Sequence, residues 1–209
     1  MGLFESDNIR VIGLTGQSGA GKSTVSGIFA SEGFPTVNAD EISHNVSSNR
    51  SFLSEVSGLF PDCVTDMGLD RQKLAGIVFC DIEKLKSYTD IIFPYITREI
   101  FRCIEACKAQ NERLVLLDAP TLFESGLDDI CSSVVSVIAP MELKIQRVLE
   151  RDGIPVEMVK SRLGSQKSDD MFISKSQFTI VNNSDIDSLR EKTLSVIEEL
   201  RRLYTDDCN

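Results

Sequence analysis

The stretch GLTGQSGAGKST, Gly13 to Thr24, decides the fold. Within it, Gly16 to Ser23 fits the spacing G-x-x-x-x-G-K-[ST]. The glycines let successive backbone N–H groups turn toward one anion with no Cβ in the way. A helix starting at Lys22 aims its positive N-terminal end at the same point. Lys22 is then expected to reach the β- and γ-phosphates of a nucleoside triphosphate, with the Ser23 hydroxyl on Mg²⁺. Gly16, Gly19, Ala20, Gly21, Lys22, Ser23 and Thr24 form the expected phosphate bed. The competing reading is a glycine-rich turn that binds nothing, and the strand before and helix after the motif argue against it.

Outward from this stretch, Arg10 to Gly16 is a short apolar run ending in glycine, which reads as a buried strand. The helix from Lys22 should run to about Ser31 and stop at Gly33, and Phe34 to Ala39 reads as the next strand. Strand, glycine loop, helix and strand make a βαβ unit with parallel strands. Leu114 to Leu117, Val134 to Ala139 and Phe178 to Val181 supply three more strands. Helices are expected over Asp70 to Cys80 and after Pro94, where Ile96, Ile100, Ile104 and Cys107 recur at helical spacing. Met141 to Arg151 and Val156 to Gln166 read as two helices broken near Gly153-Ile154-Pro155, and Asp185 to Tyr204 as the last. The pattern predicts one α/β, three-layer P-loop domain with a parallel five-stranded sheet. Its core covers about 8–40, 113–140 and 178–204. A helical substrate-binding excursion covers about 41–112, and a charged helical lid about 141–177.

The chain of 209 residues is 42% hydrophobic and 26% charged, enough to bury a real core. Its formal net charge of -10 speaks against a general binder of nucleic acid or anionic membrane. No long apolar span and no secretory segment is visible, so a cytoplasmic protein is expected. The six cysteines show no zinc-knuckle spacing, and Cys103 and Cys107 read as ordinary thiols one helical turn apart. Met1 to Ser6 matches the short myristoylation pattern, which chance often produces. Met1 to Asn8 and Thr205 to Asn209 read as loose ends.

Carboxyl ends of parallel strands line the ligand crevice. Asp40, after the second strand, is therefore a candidate to accept a proton from an attacking hydroxyl, or else a cap on the next helix. Asp118, after the third, is a candidate for the Mg²⁺ shell, or else a turn carboxylate. Arg147, Arg151, Lys160, Arg162 and Lys167 concentrate positive charge on the second excursion. Arginines there suit a lid that closes over a transferring phosphate, and a solvated helix face is the alternative. His44 lies one turn after Asp40 and is a candidate substrate contact.

Taken together, these residues resemble the dephospho-CoA kinase family from about Arg10 to Leu203. The resemblance rests on Leu14-Thr15-Gly16 through Lys22-Ser23-Thr24, Asn38-Ala39-Asp40, and Leu69-Asp70-Arg71 followed by Ile77-Val78-Phe79. It rests most on Asp118-Ala119-Pro120-Thr121-Leu122-Phe123-Glu124-Ser125-Gly126, close to the family's D-x-P-L-L-F-E-x-G. Gln146-Arg147, Arg151-Asp152-Gly153, Arg162 and Gln166 resemble its lid, and Ile180-Val181-Asn182-Asn183 its adenine-holding strand and loop. The resemblance implies an ATP-dependent kinase for the ribose 3′-hydroxyl of dephospho-CoA. ATP would lie on Gly16 to Thr24 with Arg147 and Asn182, and Mg²⁺ on Ser23 and Asp118. Asp40, Lys22, Arg147 and Arg151 would carry the chemistry. Asp40, His44, Arg71, Phe93, Pro120 and Leu122 would touch dephospho-CoA. It implies a small-molecule enzyme, monomeric or weakly self-associating, with no nucleic acid or membrane partner. Six positions depart from the family pattern. Gln17 and Ser184 stand where glycines are usual; a side chain at 17 can narrow the loop mouth, but the position is one of the motif's variable sites. Asn38 replaces an acid, Phe93-Pro94 a His-Pro, and Asp170-Met171 a Glu-Lys.

Two other classes fit parts of the chain. Another small-molecule kinase, for a nucleoside or nucleotide, would keep Lys22, Ser23 and Asp40. A nucleotide-binding homologue without catalysis would keep only the bed. A GTPase needs an N-K-x-D segment, and Asn182-Asn183-Ser184-Asp185 lacks the lysine.

Overall fold

A computed structural model of the chain describes residues 9–205. The myristoylation-like start and the end after Thr205 lie outside the described residues. The chain up to Val37 and from Cys107 onward forms one compact unit, and Asn38–Ala106 forms another.

The first unit is built on a sheet. Strand β1 is Arg10–Gly16, and helix α1, Lys22–Ser31, follows the glycine loop. The further strands of this sheet are β2 (Thr36–Asn38), β5 (Leu114–Asp118), β6 (Ser133–Ile138) and β7 (Phe178–Val181). They stand in the order β2-β5-β1-β6-β7. β1 runs parallel to β5 and to β6, and β6 parallel to β7. The second strand is shorter than Phe34 to Ala39. Phe34 turns inward to meet Phe29 edge-on at 5.0 Å, while Ala39 already begins a helix.

Near-continuous apolar strands imply helices on both faces. Ile12, Leu14, Leu116, Val135, Val137 and Ile180 pack with Val25, Ile28 and Phe29 of α1. The same cluster takes in Leu189, Ile197 and Leu200 of α9, Ile186–Thr205. Each such side chain contributes about 1.5–3 kcal/mol through burial. Between β6 and β7 lie α6 (Met141–Asp152), α7 (Val156–Gly164) and α8 (Asp169–Lys175). The sequence pattern does not single out α8. Its signal is Ser168, whose hydroxyl caps the Met171 N–H ahead of two acids.

The second unit holds α2 (Ala39–Val46), α3 (Arg50–Leu59), a two-stranded hairpin of β3 (Val64–Thr65) and β4 (Gly68–Leu69), and α4 (Arg71–Val78). Most of α5, Ile82–Ala109, also belongs to it. The helix expected after Pro94 is a correction, because α5 runs straight through that proline. Buried Ile92, Ile100 and Ile104 continue one apolar stripe across it. Pro94 and Asp90 sit on the exposed side, where water can satisfy the carbonyl that proline leaves without a donor. Phe52 anchors this unit, edge-on to Tyr88 at 6.4 Å and to Tyr95 at 5.6 Å.

Burial raises the thiol pKa of Cys63 and Cys103, and pushes Cys131 up to about 12. These thiols stay protonated at neutral pH and act as small apolar groups. No helix among the described residues is long and apolar enough to cross a membrane.

Candidate active site

The phosphate bed follows from local backbone needs. Gly19 and Gly21 take φ of 77° and 103°, which side chains rarely adopt. A Cβ on Gly19 would lie 2.6 Å from the Lys144 carbonyl, and one on Gly21 would run into the Asn182 amide. No side chain caps α1, so its first N–H groups remain available to an anion. Gly21→Ala is expected to introduce about 1–3 kcal/mol of strain. It should weaken ATP binding at least about tenfold. Calorimetric titration checks this, and unchanged affinity would contradict the cradle.

Lys22 and Asp118 come together. The Lys22 ammonium contacts the carboxylate of Asp118, which is buried at the end of β5. Ser23 and Thr24 are exposed at the start of α1, and the Thr15 hydroxyl donates to the Pro120 carbonyl at 3.1 Å. A hydroxyl and a carboxylate are hard oxygen donors of the kind Mg²⁺ prefers, with water and phosphate completing its shell. Ser23 and Asp118 therefore fit the ion.

Arg147 on α6 reaches the bed directly. It donates to the Gly19 carbonyl at 3.2 Å and to the Asn182 side-chain oxygen at 3.3 Å. Buried Asn182, just after β7, gives its amide to the Ala20 carbonyl at 2.8 Å. Its side chain thus braces the loop. Arg151, one turn further along α6, is held by Asp152 at 2.6 and 3.1 Å. Arg162 of α7 reaches the same carboxylate at 2.6 Å.

Hydrogen bonding from Arg151, then from Arg162, lowers the Asp152 pKa from 3.8 to about 2. A lowered carboxylate pKa adds stability above the unfolded value and loses it as pH falls through the folded one. The stability gap between the wild type and Asp152→Asn is therefore expected to stay constant from pH 8 to about 4, then to shrink toward pH 2. Urea denaturation across that range measures it. A gap that stays constant below pH 4 would contradict the shared clamp.

In the second unit, Asn38 caps α2 by accepting the Glu41 N–H at 3.0 Å. Asparagine caps as well as aspartate, so this departure keeps the local fold. The cap role considered for Asp40 falls to Asn38, and Asp40 is exposed in the first turn of α2. Asp40, Ser43, His44 and Ser47 share one helical face. Arg71 lies over its far end, donating to the Ser43 carbonyl at 3.2 Å and the Ser47 hydroxyl at 2.8 Å. His44 is exposed, and Phe93 on α5 is 39% exposed. A pocket of about 340 Å³ lies among Val46, Asn49, Ser51, Tyr95, Arg98 and Glu99. None of these six residues belongs to a motif of the sequence, so no local pattern announces the pocket.

The dephospho-CoA kinase family model (CoaE) matches residues 10–188. The chain belongs to the dephospho-CoA kinase family. It is 35% identical over 187 residues to a dephospho-CoA kinase of Fusobacterium nucleatum, spanning 88% of this chain and 95% of that protein. A crystal structure of TT1252 from Thermus thermophilus matches with a TM-score of 0.80 and 30% identity, over 92% of this chain and 98% of that one. A dephospho-CoA kinase from Campylobacter jejuni matches with a TM-score of 0.62 and 25% identity, over the same shares.

Two residues read from the family pattern behave differently here. Leu122 is 0% exposed, and its methyl groups fill the space above Gly13, where a Cβ would meet them at 2.8 Å. In this structure it packs as a core residue, whereas Pro120, two residues before it, is half-buried. Gln17 is not at the loop mouth. Its side chain is buried and joins Lys144 and the Lys167 carbonyl. Lys144 and Asp169, which complete that contact, have no signal in the sequence. A lysine on an amphipathic helix reads as a solvated cation.

Proposed function

We propose that this protein transfers the γ-phosphoryl group of ATP to the ribose 3′-hydroxyl of dephospho-CoA, giving coenzyme A and ADP. The observation that carries this is the built phosphate bed, with Lys22 on Asp118 and Arg147 on Gly19, in a chain of this family. The loop N–H groups hold the phosphates, and Lys22 offsets charge on the β- and γ-oxygens. Arg147 braces the bed from α6. Arg151, paired with Asp152 in the free protein, exchanges that partner for phosphate oxygens. Ser23 and Asp118 would hold Mg²⁺, which would supply positive charge to offset the negative charge of the phosphates. Asp40 orients the acceptor hydroxyl and takes its proton, and its exposed place in the first turn of α2 supports that role. Arg71, His44 and Phe93 meet the rest of the acceptor. No covalent intermediate forms, so positioning and electrostatics supply the rate. The net charge of -10 supports a small-molecule acceptor over nucleic acid. We propose a cytoplasmic enzyme that is monomeric or weakly self-associating.

The test offers purified protein ATP, Mg²⁺ and one acceptor at a time: dephospho-CoA, adenosine, AMP or shikimate. Mass spectrometry and ³¹P NMR then locate the new phosphate. Only dephospho-CoA should be modified, on the 3′ oxygen. Preferred turnover of a nucleoside or nucleotide would replace the acceptor in this reading.

A further inference from the structure

Gln17 departs from the usual glycine of the phosphate loop, and its side chain is only 6% exposed. Its amide group donates to the Lys167 carbonyl, and its amide oxygen accepts from the Lys144 ammonium. Lys144, in the first turns of α6, is 1% exposed. A buried ammonium is costly unless its donors are matched. Asp169, opening α8, supplies the countercharge at 3.0 and 3.1 Å. The next loop residue is tied to the same segment. Ser18 N–H donates to the Gln166 side-chain oxygen at 3.0 Å, and the Gln166 amide donates to the Ser18 hydroxyl at 3.1 Å. The main chain of Lys144 also backs Gly19. Three successive residues of a glycine-rich loop, 17 to 19, are thus clasped to α6 and to Gln166 and Lys167, which lie between α7 and α8.

We infer that Lys144 is a positioning residue for the phosphate loop, acting through Gln17 and held in place by Asp169. A loop rich in glycine has much conformational freedom to lose on binding an anion. A fixed ammonium on one of its side chains removes part of that freedom before ATP arrives, and preorganisation of this kind raises affinity. With a glycine at 17, Lys144 would lose one of its acceptors, so Gln17 and Lys144 act as a pair. The inference rests on the kinase reading only for its kinetic part, because loop order is also read by ATP binding.

The experiment compares the wild type with Gln17→Ala, Lys144→Met and the double variant. ATP affinity is measured by calorimetry, KM and kcat with dephospho-CoA, and folding by thermal melting. Each single variant is expected to raise the ATP Kd and KM about tenfold, the scale of one charge-assisted hydrogen bond. Under the inference kcat moves less than about threefold, and the double variant is no worse than the singles. Unchanged ATP affinity in folded Lys144→Met, or fully additive losses in the double variant, would overturn it. If Lys144→Met does not fold, Gln17→Ala decides alone: a tenfold rise in Kd supports the inference, and no change overturns it. If the wild type binds ATP but does not turn over dephospho-CoA, the kinase reading fails while the affinity data still decide the clasp.

Discussion

Lys22→Ala lowers kcat about 1,000-fold, the scale of removing a fixed charge from the developing transition state. The ammonium is held at the bed by buried Asp118, so in the free enzyme it already stands beside the phosphate loop. Such preorganisation is what makes a single charge so effective in a water-poor site. Removing it also leaves Asp118 buried without its countercharge, which costs stability. Thermal melting and ATP titration on the same preparation separate the two effects. A folded, ATP-binding Lys22→Ala enzyme with near-normal kcat would contradict the role given to this residue.

Asp40→Asn lowers kcat at least about 100-fold, as expected for loss of a general base. Asparagine has the same shape, and the cap of α2 rests on Asn38, so the helix keeps its first turn. Stability should therefore change by less than about 0.5 kcal/mol. The KM for ATP should hold, since Asp40 makes no phosphate contact in this account. Steady-state kinetics with both substrates varied gives the answer. Full activity in Asp40→Asn would reduce Asp40 to an exposed acid at a helix N-terminus.

Much of the fold is legible because buried parallel strands are short apolar runs with sharp ends. β1, α1 and β7 have the bounds that the pattern predicts, Arg10–Gly16, Lys22–Ser31 and Phe178–Val181. The region between β2 and β5 is harder. α2 and α3 are short helices announced mainly by Asn38 and Asn49, whose caps are visible only once a helix is suspected. α5 defeats the rule that proline starts or ends a helix, because the apolar stripe across Pro94 outweighs one missing hydrogen bond.

The site divides the same way. Its glycine loop, Lys22, Asp118 and Arg147 are carried by motifs close to the strand ends. The contacts of Gln17 reach Lys144 and Lys167 across more than a hundred residues of sequence, a distance no local pattern spans. Leu122 shows the reverse problem. It belongs to the most specific motif in the chain, yet its leucine serves packing above Gly13.

ADP release by the purified protein, followed with ATP and Mg²⁺ in the presence and absence of dephospho-CoA, tests the central claim most directly. Slow release alone and a large, saturable increase on adding dephospho-CoA are expected, with one ADP formed for each coenzyme A. An enzyme that binds ATP tightly but releases ADP at the same rate with and without dephospho-CoA would contradict that claim.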